Sequence, residues 1–320
     1  MRVSYLASAF IGVVVSAAPL TQNIHCQNPA VRQEWRLLPR ETQQSYVDAV
    51  KCLKTKPSRI GRNLTTTLYD DFPYIHAHLD TSIHFVASFL PWHRYFVHVY
   101  EKALQDCGYI GVAPYWDWTL DVANVSTSTI WDAESGFGGN GLRPYPNGSE
   151  AEQNCVQDGP FKDLRVEYMA LGAEEHCLRR NFNNGSEEIG DMFAGAYTPE
   201  AVQVINNLTT YDSFRIGLEN GPHGAIHSSI GGDMSPSTSP NDPIFFLHHG
   251  QIDRLWTLWQ NEQLENRALD YSGIRTQDQF DGTTPPAASL EDIMPMYGLA
   301  DDVAVKEYMS AQSGPLCYRY

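Results

Sequence analysis

Apolar residues recur at helical spacing in several stretches of the chain. Val47, Val50 and Leu53 follow Pro39 at intervals of three, which predicts an amphipathic helix over residues 40–54. Residues 91–105 and 249–265 are apolar on wider faces and predict two largely buried helices. A helix is also predicted over 67–83, and shorter helices over 199–207 and 303–309.

Polar residues, glycine and proline interrupt these periodic stretches. The segment 54–67 contains Pro57 and Gly61 and predicts a surface loop, and residues 121–195 are rich in Gly, Asn, Ser and Pro. Residues 266–320 are largely irregular in pattern as well. A chain of 320 residues is long enough for one well-formed core, so one mainly helical domain with long loops is expected.

Histidines cluster in two parts of this pattern, with no Cys or carboxylate at ligand spacing among them. Neutral imidazole is a good ligand for copper, zinc, iron or nickel. Two groups of at least three imidazoles therefore predict two metal ions side by side. The first stretch carries His76, His78, His84 and His93; the second carries His223, His227, His248 and His249.

The spacing constrains the elements that carry these rings. His223 and His227 are four residues apart and share one face of a helix, which Pro222 can open. His84 and His93 are nine residues apart, about 180° around an ideal helix, so they need two elements. Pro91 is expected to start the second element, with His93 in its first turn.

Two longer motifs surround these histidines. Residues 89–96 (FLPWHRYF) and 242–256 (DPIFFLHHGQIDRLW) resemble the two copper signatures of the tyrosinase and catechol oxidase family, in particular its short secreted fungal members. Residues 113–118 (APYWDW) and the pair Tyr318 and Tyr320 match further family motifs, the former read here as aromatic core packing. The resemblance covers most of residues 30–320. It implies a mainly α fold, with a four-helix bundle around a dinuclear metal site, long irregular loops and few short strands.

The resemblance also implies a ligand set. The family's spacing of eight residues favours His76 over His78, and the second histidine of the adjacent pair, His249, over His248. Both neighbours stay open as alternatives. The implied ligands are His76, His84 and His93 for one ion, and His223, His227 and His249 for the other.

The chemistry implied by the family is copper-dependent oxidation of o-diphenols to o-quinones with O2, extended to o-hydroxylation of some monophenols. Glu219 stands four residues before His223, where some relatives hold a water near the phenol; a capping or surface carboxylate is the alternative. Gly224 follows His223 where many strong tyrosinases have Asn, so diphenol oxidation is the firmer expectation. Phe245 is expected to pack on a ligand ring, and Asp253 to pair with Arg32.

Two alternatives keep the same histidines. One is a tyrosinase-like enzyme of a fungal secondary-metabolite pathway that acts on one dedicated substrate, and that could be zinc-dependent and non-oxidative, as in the cyclopenase type. Imidazole ligands do not exclude zinc. The other is an oxygen-binding protein of the haemocyanin type.

The N-terminus and the cysteines indicate export. Residues 1–18 combine Arg2, an apolar run and small residues near Ala18, which predicts a signal peptide; residues 19–320 would then form a single catalytic domain without the C-terminal shielding domain of longer relatives. Six cysteines in such a chain indicate disulfides. By resemblance, the pairs are Cys26–Cys317, Cys52–Cys107 and Cys155–Cys177.

Glycosylation and charge complete the sequence-based picture. A formal net charge of −16 argues against nucleic acid or an anionic membrane as partner, and leaves a small phenol and O2 as the expected ones. Glycosylation sequons, which suit an exported protein, occur at Asn63, Asn124, Asn147, Asn184 and Asn207.

Overall fold

A computed structural model describes residues 26–61, 63–142, 153–170, 172–183 and 192–320. The predicted signal peptide and the sequons at Asn147 and Asn184 lie outside the described residues. The sequons at Asn63, Asn124 and Asn207 are solvent-exposed.

Eight α-helices carry most of the regular structure in these residues, and the predicted mainly helical fold with few short strands is confirmed. The helices are α1 (Arg40–Leu53), α2 (Leu68–Ile83), α3 (Phe89–Asp106), α4 (Pro199–Asn206), α5 (Tyr211–Leu218), α6 (Gly224–Ile230), α7 (Ile244–Glu262) and α8 (Leu264–Arg267).

The strands are short and form three separate two-stranded pairs. Strand β1 (Ala30–Val31) lies parallel to β6 (Tyr318–Arg319), so the two ends of the described chain meet. Strands β2 (Arg165–Met169) and β3 (Gly172–Cys177) form an antiparallel hairpin, with Arg165 opposite Cys177. Strands β4 (Ile293–Met294) and β5 (Val303–Ala304) form the third pair.

Helix α2 shows how local sequence sets its own boundaries. The hydroxyl of Thr67 accepts the N–H of Asp70 at the N-terminus, and Asp70 and Asp71 place negative charge in the first turn. The helix ends at Ile83, where His84 is extended and Phe85 adopts φ of 59°. This turn leads into α3, so His84 and His93 lie on separate elements as the spacing predicted.

Three boundaries differ from the prediction. Helix α3 begins at Phe89, two residues before Pro91, so His93 lies in its second turn. Helix α7 begins at Ile244, five residues before the predicted start at His249. Residues 244–248 are all buried, so apolar and polar positions do not alternate with the helical period and the sequence gives no sign of the helix start. The helix predicted over 303–309 is strand β5 followed by one 3₁₀ turn at Val305–Tyr308.

Pro222 also behaves differently from expectation. It does not open a helix, because a π-helical turn, Glu219–His223, joins α5 directly to α6. Gly221, at φ −90° and ψ −107°, takes the non-helical conformation inside this turn. Since Pro222 has no backbone N–H to complete an α-helical ladder, the wider turn accommodates it.

Asp253 on α7 links distant parts of the fold. The guanidinium groups of Arg32 and Arg94 and the hydroxyls of Tyr318 and Tyr320 all donate to its carboxylate. The predicted pairing with Arg32 is confirmed. Burial alone would raise the pKa of Asp253, but the two guanidinium groups hold it below its usual value. One carboxylate thus ties α7, α3 and the paired chain ends together.

Three disulfides cross-link the same framework, with the pairing that the family resemblance implied. Cys26–Cys317 closes the two chain ends beside β1 and β6, Cys52–Cys107 joins the C-terminal ends of α1 and α3, and Cys155–Cys177 holds the base of the hairpin. Among the described residues, none of the helices combines the length and apolar character that crossing a lipid bilayer requires.

We expect Asp253→Asn to lower the free energy of unfolding by about 3–5 kcal/mol, because it leaves the buried Arg94 without its carboxylate partner and Arg32 with Glu101 alone. Urea unfolding followed by circular dichroism measures this. Because the pKa of Asp253 is lowered on folding, its stabilisation is complete above a pH of about 4 and is lost as the pH falls through the folded value. The variant should lose that part of the acid sensitivity.

Asp302→Asn is the matched control. Asp302 is exposed and accepts one backbone N–H, that of Met296, at 2.7 Å. Its loss should cost less than about 1 kcal/mol. Equal losses in the two variants would contradict a special role for Asp253.

Candidate metal centre

Two groups of histidines come together inside the bundle. His76 on α2, His84 at its C-terminal end and His93 on α3 form the first group. The π-helical turn, α6 and α7 bring together the second group, which is His223, His227, His248 and His249. Within each group the candidate ligand atoms lie within 4.8 Å of one another.

The two groups face each other across α3 and α7. The rings of His93 and His249 stack with centroids 4.3 Å apart and planes inclined by 10°. The rings of His84 and His223 lie 6.2 Å apart on another side. The groups therefore form one centre rather than two remote sites.

Backbone carbonyls orient five of the six predicted ligand rings. In each, the Nδ1–H donates to a carbonyl oxygen, which fixes the tautomer and leaves the Nε2 lone pair free. The bonds are His76 to Ser237 at 2.6 Å, His84 to Asp80 at 3.1 Å, His93 to Phe89 at 2.7 Å, His223 to Glu219 at 3.1 Å and His227 to Met234 at 2.7 Å.

The freed Nε2 atoms have no hydrogen-bond donors to accept from. The Nε2 atoms of His223 and His227 are buried without a hydrogen-bond partner, as are Nε2 of His248 and both ring nitrogens of His249. The Nε2 of His76 lies 3.3 Å from the Nε2 of His93, and each ring already places its proton on Nδ1. Lone pairs buried and opposed in this way are costly unless a cation lies among them. The donor set therefore fits metal ions.

Electrostatics keep these rings neutral. Burial, followed by the repulsion of neighbouring imidazoles, lowers the pKa of His76, His93, His223 and His249 well below the usual value. Burial lowers the pKa of His227 to about 4. Neutral imidazole is the metal-binding form, so these rings need not lose a proton near neutral pH.

His248 and His78, the two alternative ligands, have different surroundings. The indole N–H of Trp118 donates to Nδ1 of His248 at 3.2 Å, so the neutral ring carries its proton on Nε2 and offers no lone pair there. His78 is exposed and packs edge-on against Tyr297 at 4.5 Å, outside both groups. The geometry favours His76 and His249.

Trp118 adds a role beyond what its motif suggested. It was expected only as core packing, and its ring is indeed fully buried. Its hydrogen bond to His248 was not foreseen, because nothing in a local sequence pattern pairs an indole with a ring 130 positions away. The carbonyls of Met234 and Ser237 were missed for the same reason, since every residue type has one.

Glu219 is neither a surface carboxylate nor a simple helix cap. It is 2% exposed, its Oε1 accepts the backbone N–H of Phe85 at 2.6 Å, and its Oε2 accepts from Arg215 at 2.8 Å. Burial raises the pKa of Glu219, while these two donors oppose that rise. Its own carbonyl accepts from His223, so one residue contacts the second histidine group and the backbone next to His84 of the first. Phe245, as predicted, packs on a candidate ligand, with its ring 4.2 Å from that of His249.

Helices that enclose two facing, buried histidine groups define a class of helical protein built around a dinuclear centre. The family model for the common central domain of tyrosinase matches residues 66–262, which contain all of these histidines. The chain belongs to the tyrosinase family.

Known relatives agree with this assignment over most of the chain. It is 42% identical over 309 residues to "Tyrosinase-like protein phomQ1'" of Diaporthe leptostromiformis, covering 92% of this chain and 80% of the relative. It is 39% identical over 298 residues to "Tyrosinase ustQ" of Aspergillus flavus, covering 92% and 80%. The solved structure of a polyphenol oxidase variant from Thermothelomyces thermophila superposes with a TM-score of 0.79 at 30% identity, covering 91% of this chain and 88% of that one.

His249→Ala and His248→Ala form a matched pair that tests the ligand choice. Trp118 donates to Nδ1 of His248 and so leaves the proton of that ring on Nε2, whereas His249 can offer a lone pair. The loss of His249 should therefore reduce the metal content from two ions per chain to one. The loss of His248 should leave two. Metal content of the purified, loaded chains by inductively coupled plasma mass spectrometry measures both. An ion lost with His248 and kept without His249 would reverse the assignment.

Proposed function

We propose that this protein oxidises o-diphenols to o-quinones with O2 at a pair of copper ions, and o-hydroxylates some monophenols. The observation that supports it most strongly is the convergence of buried Nε2 lone pairs from two histidine trios. His76, His84 and His93 would hold one ion, and His223, His227 and His249 the other. A solved structure that superposes on 91% of this chain is named a polyphenol oxidase, which agrees with the proposal.

Copper would supply the electrons that O2 needs and recover them from the phenol. The protein's share is to set the geometry. Carbonyls hold the rings, and the surrounding core, with Phe89, Phe96 and Phe245 close to the imidazoles, excludes water from the ring edges. An open position at each ion is what an oxidase of this kind requires.

Phe85 lies where a phenol would approach. It follows His84 directly, is 57% exposed, and has its ring 6.5 Å from the ring of His84. An exposed aromatic ring next to a candidate ligand offers an edge or face for a phenolic substrate. Its backbone N–H donates to the carboxylate of Glu219, and the carbonyl of Glu219 accepts from His223 of the second histidine group.

Glu219 is proposed to hold a water that takes the proton of an incoming monophenol. Its two oxygens each accept one hydrogen bond here, and each keeps a second lone pair. A raised pKa also makes it a better base than an ordinary glutamate. Catechols ionise more readily and depend less on a base. Comparing the two activities therefore separates a role of Glu219 in proton removal from a role in fixing the backbone of Phe85.

We expect Glu219→Gln to lower kcat/KM for monophenols about 10-fold or more, the usual scale of one general base, and to affect catechols less. Gln keeps the volume and the acceptor for Phe85. Oxygen uptake with a monophenol and its matching catechol measures the ratio. A parallel loss with both substrates would show that Glu219 acts only by fixing the backbone.

We further propose that the protein is exported after removal of residues 1–18. Three disulfides support an oxidising compartment. N-terminal sequencing and peptide mass mapping of the secreted chain would locate the cleavage site and the occupied sequons. A chain recovered from the cytosol with its first residues intact would contradict export.

Copper content together with oxygen uptake tests the main proposal. Two coppers per chain and rapid uptake with catechol are the expected results. An imidazole donor set also suits zinc, so zinc in the purified protein, with no oxygen uptake, would favour a non-oxidative enzyme with one dedicated substrate. Copper that binds O2 reversibly without oxidising catechol would instead indicate an oxygen-binding protein.

A further inference from the structure

One short segment, residues 231–241, contacts both histidine groups. The carbonyl of Met234 accepts from His227 at 2.7 Å, and the carbonyl of Ser237, three residues on, accepts from His76 at 2.6 Å. One ring of each group is therefore oriented by the same piece of backbone. A shift of this segment would turn a ligand of both candidate ions at once.

This segment consists of turns rather than a long helix or strand, with 3₁₀ turns at Gly232–Met234 and Ser239–Asn241. Its position must therefore come from other contacts. Gly231 and Gly232, at φ of 62° and 54°, let it lie directly against the chain that follows β3: a Cβ on Gly232 would lie 2.2 Å from the carbonyl oxygen of Arg179. This close backbone contact positions the segment on the hairpin side of the bundle.

Asp233 fastens the segment there. Its side chain is fully buried, its Oδ1 accepts from Nε2 of His176 at 2.8 Å, and its Oδ2 accepts the backbone N–H of Arg179 at 2.7 Å. Its own N–H donates to the carbonyl of Arg179 at 2.9 Å. Both carboxylate oxygens and the backbone of one residue are thus committed to the hairpin side.

His176 completes the contact and is unusual in its own bonding. Its Nε2 faces the Asp233 carboxylate, and its Nδ1 lies 2.6 Å from the carbonyl of Glu174, so both partners are acceptors. Both ring nitrogens therefore face oxygen atoms, and the ring is held between the Asp233 carboxylate and the backbone of its own strand. The exposed side chain of Glu174 pairs with Arg179 instead, at 3.0 Å. Cys177, the next residue, is held to Cys155.

A second contact holds the far end of the segment. The hydroxyl of Thr238 accepts the N–H of Ala170 at 3.1 Å, and the side-chain amide of Asn241 donates to the carbonyl of Tyr168 at 2.7 Å. Both partners lie at the other end of strand β2. The hairpin and the residues that follow it therefore hydrogen-bond to the segment on both sides of the carbonyls of Met234 and Ser237.

We propose that Asp233 and His176 are positioning residues for the metal centre: through residues 234–237 they set one ring at each ion. The inference rests on the proposed function, since it needs metal ions at the two histidine groups. It assigns a role to the disulfide-closed hairpin, which supplies no ligand itself.

Asp233→Asn in the full chain tests this directly. A carboxylate accepts at both oxygens, but an amide presents an N–H to one of the two donors, so either His176 or Arg179 must move. We expect affinity for copper to fall about 10-fold or more, the usual cost of losing support behind a ligand. Competition with a chromophoric chelator measures it. The visible absorption of the cobalt-loaded chain should also change, because it depends on ring geometry.

His176→Phe should shift affinity and spectrum in the same direction, since the ring is kept but the donor to Oδ1 of Asp233 is lost. Glu34→Gln is the matched control: Glu34 is also a buried carboxylate that accepts from a backbone N–H and from a side chain, both of Arg36. It should leave the cobalt spectrum and the copper affinity unchanged even if it lowers the melting temperature.

Native affinity and spectrum in both Asp233→Asn and His176→Phe would overturn the proposal. If Asp233→Asn does not fold, Thr238→Val, which removes one acceptor at the other end of the segment, should give a smaller loss of affinity; its native affinity and spectrum would then overturn the proposal. A native chain that binds no metal would refute the proposed function itself, and this result is obtained before any variant is compared.

Discussion

The hydrogen bonds from Nδ1 to backbone carbonyls are the interaction on which the centre depends. A neutral imidazole has one proton, and placing it on Nδ1 decides where the lone pair points. Five rings donate from Nδ1 to backbone carbonyls on four different parts of the chain: α2, α3, the π-helical turn and the segment after α6. Because those carbonyls belong to packed backbone, the ring directions are only as well defined as the packing of the helices.

The remaining architecture can be understood as support for that packing. Asp253 and its two guanidinium partners join α7 and α3, the helices that carry His249 and His93, to the paired chain ends. Glu219 joins the turn after α2 to the turn before α6. The hairpin fixes the segment that touches His76 and His227. The carboxylates of Asp253, Glu219 and Asp233 are all buried, and each connects elements that carry different candidate ligands.

The sequence was most informative where chemistry requires a particular side chain. The histidine spacing separated the two elements of the first group, the cysteines agreed with the family's pairing, and Asp253 could be matched to Arg32. The sequence was least informative where the backbone conformation or a backbone hydrogen bond determines the structure. The start of α7 lies in a segment apolar on all sides, and the π-helical turn around Pro222 depends on tertiary packing. The carbonyls behind the rings leave no trace in residue type.

The contact between Nε2 of His76 and Nε2 of His93 has a thermodynamic consequence. Two buried lone pairs 3.3 Å apart repel, so the folded chain carries a local cost that a cation between them removes. Ions that bind only the folded chain add RT ln(1 + [metal]/Kd) to its stability. Metal bound at this centre would therefore couple folding to metal supply, because the unfolded fraction would be larger while metal is scarce. The ions would then stabilise the core as well as supply the chemistry.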